Sequence, residues 1–220
     1  MFTFPYIIVY LSALFWIFPA IRNYKTNLFL YFFILAISYP IVIAASYIIP
    51  MFGLRIYLLF SLLSIASLRN LFSSKTLYLR ILILLLLIGV TAAFTSITVA
   101  YIAIIIDHIC VVFIFLVLLL SYVSLNSKVK GYHIILLLYE ISIILKVLFV
   151  VLHVELSLSY FYTTSVFEML IAVFFSIYKE TDNKLLIDLK NVLEFLIRSA
   201  TYSFQIKSKS KYEAVVIITS

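Results

Sequence analysis

Two long apolar runs carry ionisable side chains at a depth where a lipid bilayer should exclude them. The run 132–153 holds Glu140 and Lys146, and the run 158–178 holds Glu168. A helix crossing the hydrocarbon needs about 20 residues at about 1.5 Å each, so both glutamates fall near the middle of their spans. A carboxylate at that depth needs a water path or a partner. His133 and Glu140 are seven residues apart and share nearly one helix face, while Lys146 and His153, also seven apart, share a second. If the two helices run antiparallel through their short loop, Glu168 can face Glu140. Lys146 then lies about 6–9 Å along the axis from either carboxylate. Such a Glu140–Lys146–Glu168 cluster supports three chemistries: a proton or cation site, a polar clamp between the two helices, or a lysine that snorkels to the outer interface.

The run 81–125 is broken only by Asp107 and His108. Its length predicts two spans, with the turn near Asp107, where an acid caps free backbone N–H groups and meets the positive end of the helix dipole. His108 is then an interfacial neighbour, and Asp107, His108, His153 and Glu155 gather on the outer face. Cys110 is the one cysteine, so no intrachain disulfide and no cysteine metal site can form. It stands two residues from His108, and side chains so spaced do not meet on a helix. There is no His-Glu-x-x-His, no Gly-x-Ser-x-Gly, no paired histidine box and no glycine-rich phosphate loop. The chain reads as a non-enzymatic protein without a cofactor.

The elements that must position these residues follow from composition. Hydrophobic residues make up 66% of the chain and charged residues 11%, which excludes a soluble domain. With only 3 glycines and 4 prolines, most helices should run unbroken, unlike transporters that unwind helices at the midplane. No basic leader or small-residue cleavage site opens the chain, so residues 1–20 are read as a retained first span. The pattern predicts an all-α integral membrane protein with seven transmembrane helices over about 4–21, 27–49, 51–68, 78–100, 106–125, 132–153 and 158–178. Pro40 interrupts the second and can kink it. The third is short and holds Arg55 near its start.

Charge orients the bundle. Basic residues of short loops mark the cytoplasmic side. With the N-terminus outside, Arg22, Lys25, Arg69, Lys75, Arg80, Lys128 and Lys130 all fall inside, as do the basic residues of a cytoplasmic C-terminal tail over 180–220. In that tail Leu185, Leu189, Val192 and Leu196 recur at helical spacing, predicting an amphipathic helix over 181–199. Alternation beyond it predicts a short β-hairpin over 201–219. Lys207, Lys209 and Lys211 suit anionic lipid headgroups better than nucleic acid.

The expected function is a sensor or scaffold subunit of the cell (cytoplasmic/inner) membrane. Its tail is presented to a protein partner, with homo-oligomer formation through the tail or the helix faces as the other route to assembly. The alternative is a small channel or proton- or cation-coupled transporter using Glu140, Lys146 and Glu168.

Overall fold

The computed structural model describes residues 4–49, 52–71, 75–93, 96–152, 158–182 and 186–188. These residues are mostly helical. The helices are α1 (Phe4–Phe15), α2 (Ile17–Arg22), α3 (Phe29–Ile48), α4 (Phe52–Ser67), α5 (Lys75–Ala93), α6 (Ile97–Asn126), α7 (Gly131–Val151) and α8 (Leu158–Ile177). A 3₁₀ turn, Leu68–Leu71, follows α4, and two short strands, β1 (Lys128–Lys130) and β2 (Leu186–Asp188), pair antiparallel. Among the described residues, three helices, α3, α6 and α7, are long and apolar enough to cross a membrane, and shorter apolar helical stretches lie at Tyr10–Arg22, Phe52–Ser67, Tyr78–Thr91 and Thr163–Ile177.

The packing explains why helical periodicity is faint in the sequence. The inward faces meet in an aromatic core in which Trp16 lies 4.5 Å from Tyr139 and Phe32 5.0 Å from Phe175, between ring centroids. The outward faces are just as apolar, as with Leu84, Leu87, Phe113 and Leu170. A helix that is apolar all round belongs where both protein and surroundings are apolar. α6 packs closely on α7 and α4, and α3 on α4, whereas α8 lies chiefly against α1 and α2 and touches α7 less.

Local chemistry sets the boundaries. The first expected span is divided at Trp16 into α1 and α2. Pro19 has no N–H to offer the Phe15 carbonyl four residues back, and the ladder breaks there. Pro40 leaves the Ala36 carbonyl in the same position, yet α3 continues through it. The turn predicted near Asp107 lies about ten residues earlier, so the expected spans 78–100 and 106–125 are replaced by α5 and a 30-residue α6. Ser96 is the cap: its Oγ accepts the Val99 N–H at 3.4 Å, and the apolar stretch behind it continues as helix straight past Asp107. At the other end Ser127, with φ 54°, stops α6 in the left-handed region.

Within the expected amphipathic helix over 181–199, the described residues 186–188 are strand rather than helix. Lys128 stands opposite Asp188, Val129 opposite Ile187 and Lys130 opposite Leu186. The β-branched pair of Val129 and Ile187 across the ladder favours that pairing. Leu185, Leu189, Val192, Leu196, Lys207, Lys209, Lys211 and the expected hairpin lie outside the described residues, as do His153 and Glu155.

Two glycines test how closely the helices approach. A Cβ on Gly53 would strike the Ser46 side chain and stand 2.9 Å from the Val42 carbonyl, which is backbone and cannot step aside. A Cβ on Gly89 meets only the tip of Leu62 at 2.6 Å. Gly53→Ala is therefore expected to cost about 1–3 kcal/mol by prising α4 from α3, and Gly89→Ala under about 1 kcal/mol. Thermal unfolding of the two variants in lipid nanodiscs checks the contrast, and equal losses would refute it.

Candidate functional site

Five helices, α3, α4, α6, α7 and α8, bring together the three buried acids and their partners. α7 contributes Glu140, which is 1% exposed. Its carboxylate accepts from the Tyr31 hydroxyl of α3 and from His108 Nδ1 of α6, the latter at 2.7 Å. With the Nδ1 proton aimed at Glu140, the other ring nitrogen lies 3.3 Å from the Tyr57 hydroxyl of α4. One acid thus ties α3, α4, α6 and α7 together through two tyrosines and an imidazole.

Glu168 of α8, also 1% exposed, forms a second centre. Lys146 Nζ donates to its Oε1 at 3.0 Å and the Tyr39 hydroxyl to its Oε2 at 3.3 Å. A third acid, Asp107, is 3% exposed and lies 2.6 Å from the Ser61 Oγ of α4. Among the described residues the ion pairs are Lys146 with Glu168 and Arg22 with Asp182, while His108 and Glu140 share a hydrogen bond. No group of described residues could hold a metal ion.

Of the cluster expected from the sequence, Lys146 and Glu168 meet directly. Glu140 turns instead to Tyr31 and His108. Asp107 and His108, expected on the outer face, are buried on α6 among the helices. That placement follows from the continuous α6: with no turn at Asp107 there is no free backbone N–H to cap, and its carboxyl lies against the Ser61 hydroxyl instead. The tyrosines Tyr31, Tyr39 and Tyr57 were not among the candidates. Their signal was a phenol within an apolar run, since a hydroxyl there must find a partner, but 17 tyrosines in the chain dilute it.

One end of the bundle carries a second set of polar contacts. Asn23, fully buried after α2, donates to the Pro19 carbonyl at 3.0 Å and to the Phe175 carbonyl of α8 at 3.3 Å, and accepts from the Tyr132 hydroxyl of α7 at 2.9 Å. Arg22 Nε donates to the Ile177 carbonyl at 3.3 Å. Beyond α8 the chain turns back, with Lys130 Nζ donating to the Glu180 carbonyl at 3.1 Å and β2 pairing with β1. Burial pushes the Glu180 carboxyl above the usual carboxylate range, against the pull of Lys130 and of a hydrogen bond with the Leu28 backbone.

Asn23→Leu would strand the Tyr132 hydroxyl and the Phe175 carbonyl, so a loss of about 2–6 kcal/mol is expected at about 1–3 kcal/mol for each buried polar group left unpaired. Chemical unfolding in mixed micelles reads it, and a change below about 1 kcal/mol would mean that water reaches this junction.

Away from both sets, an open groove of about 640 Å³ lies between α2 and α3, with Ala20, Phe33, Ala36 and Pro40 among its lining residues. Its walls are almost wholly apolar.

The fold and its interior fit a helical membrane protein with a buried polar network. Comparison of the chain with protein-family models, curated proteins and solved structures found no match.

Proposed function

We propose that this chain is a multi-pass protein of the cell membrane, with seven spans, its N-terminus outside and its C-terminus in the cytoplasm, acting as a non-enzymatic sensor or scaffold subunit. Under this reading the helices receive a signal or a partner within the membrane, and the segment after α8 passes it to a cytoplasmic protein. The observation that carries it is the anchoring of the chain beyond α8: β2 is hydrogen-bonded to β1, between α6 and α7, while Lys130 holds the Glu180 carbonyl. A shift of α6 against α7 therefore moves the root of the tail. The concentration of Arg22, Lys25, Arg69, Lys75, Lys128 and Lys130 between the expected spans supports the orientation.

Native mass spectrometry of the full-length chain and of a chain ending at Lys179, each released from native lipid, tests the proposal. A stoichiometric protein partner lost on truncation is expected. The same homogeneous particle from both would refute it.

A second reading has its own observation. Glu140 and Glu168 sit near the middle of α7 and α8, each within reach of a group that can carry a positive charge. Proton- or cation-coupled transport would use such sites. Flux into proteoliposomes that falls in both Glu140→Gln and Glu168→Gln, with folding kept, would favour it, and unchanged flux would end it.

A further inference from the structure

The three buried acids are not equivalent. Glu140 accepts from two donors, one of them an imidazole, and Glu168 accepts from a tyrosine and a lysine ammonium. Asp107 has one neighbour of this kind, Ser61, and takes part in no ion pair among the described residues. A carboxylate with a single hydroxyl partner and no cation would carry nearly the whole desolvation cost of its charge in an apolar interior.

The geometry at Ser61 points the same way. Its Oγ lies 2.6 Å from Asp107 Oδ2 and 2.8 Å from the Leu58 carbonyl oxygen. A serine hydroxyl has one proton to give and two lone pairs to offer. Both short contacts are satisfied together when Ser61 donates to the Leu58 carbonyl and Asp107 supplies the other proton. A carboxylate would leave two acceptors competing for one hydrogen.

We propose that Asp107 is a proton-binding site inside the bundle, a neutral carboxylic acid that donates to Ser61. The groups around it are consistent with that state. On α6 itself the next residue, His108, is engaged with Glu140, and Cys110 is a thiol. From α4 come Ser61 and Tyr57, the latter bonded to His108. From α7 comes Glu140, reached through His108. α5, which also packs on α6, has no ionisable side chain from Ile81 to Ala93, and its Arg80 is exposed. This inference is independent of the tail and holds for a sensor or a transporter alike.

Infrared spectroscopy of the full-length chain in lipid nanodiscs at neutral pH tests it. The C=O stretch of a protonated carboxyl lies well above the carboxylate band and moves on exchange into D₂O. The wild type is expected to show it, Glu140→Gln and Glu168→Gln to retain it, and Asp107→Asn to lose it with the carboxyl group, while its amide can still donate to Ser61 and keep the fold. An unchanged acid band in folded Asp107→Asn would overturn the proposal, as would its absence from the wild type. If Asp107→Asn does not fold, Ser61→Ala decides: loss of the hydroxyl contact should move the band to higher frequency, and a band that stays in place overturns the assignment.

Discussion

Replacing Lys146 with methionine is expected to lower stability by about 3–5 kcal/mol, towards the lower figure because the lysine side chain is 23% exposed. The cost comes from what remains behind. Glu168 would keep its burial and lose the ammonium 3.0 Å away, while the Tyr39 hydroxyl still donates to it. Removing both charges in Lys146→Met/Glu168→Leu should recover most of the loss, since replacing a buried ion pair by apolar groups is often close to neutral. A residue of about 1 kcal/mol is expected to persist for the Tyr39 hydroxyl, left without its acceptor. Thermal unfolding in nanodiscs measures all three proteins. A single-variant loss below about 1 kcal/mol would show that Lys146 reaches the aqueous interface and that the pair does little to join α7 to α8.

Glu140→Leu should be comparably damaging, for the opposite chemical reason. Here donors are orphaned: the Tyr31 hydroxyl and the His108 Nδ1 proton both point at a carboxylate that is gone. At about 1–3 kcal/mol for each unsatisfied buried group, the expected loss is about 2–6 kcal/mol. Glu140→Gln keeps one acceptor oxygen and should forfeit roughly half as much. A double-mutant cycle of Glu140→Leu with His108→Leu should show a coupling of about 1–3 kcal/mol, as found for residues in one hydrogen-bonded network. Additive losses would mean that the two side chains act separately, and the tie between α6 and α7 would have to be sought elsewhere.

Depth along an apolar run was enough to single out Glu140, Lys146 and Glu168, because the cost of burying charge in hydrocarbon does not depend on tertiary detail. Which of them would meet did depend on it. The Lys146–Glu168 contact was within reach of an antiparallel pair of helices, but the turning of Glu140 to α3 and α6 needed the packing order. Asp107 was misplaced for a related reason. An acid interrupting an apolar run suits a helix start and a bundle interior equally well, and the competing cap at Ser96 carries only one hydroxyl to announce itself. The tyrosine partners were hidden because lipid-facing and core-facing positions are equally apolar, which erases the period that would have marked their inward faces. The strand at Leu186–Asp188 could not be read locally, since its partner at Lys128–Lys130 lies far back in the chain. A leucine-rich stretch taken alone fits a helix as well.

The lengths of neighbouring helices set a mechanical constraint on the bundle. α6 has 30 residues and α7, packed against it, has 21. At about 1.5 Å per residue, α6 measures about 45 Å against a hydrocarbon slab of about 30 Å. It must either lean or let its last turns, with Ser121, Ser124 and Asn126, stand clear of the oil. Hydrophobic mismatch of this kind costs a fraction of a kcal/mol per Å and differs between thin and thick bilayers. Membrane thickness therefore acts on α6 as a load acts on a lever, and the β1–β2 ladder is attached at its end.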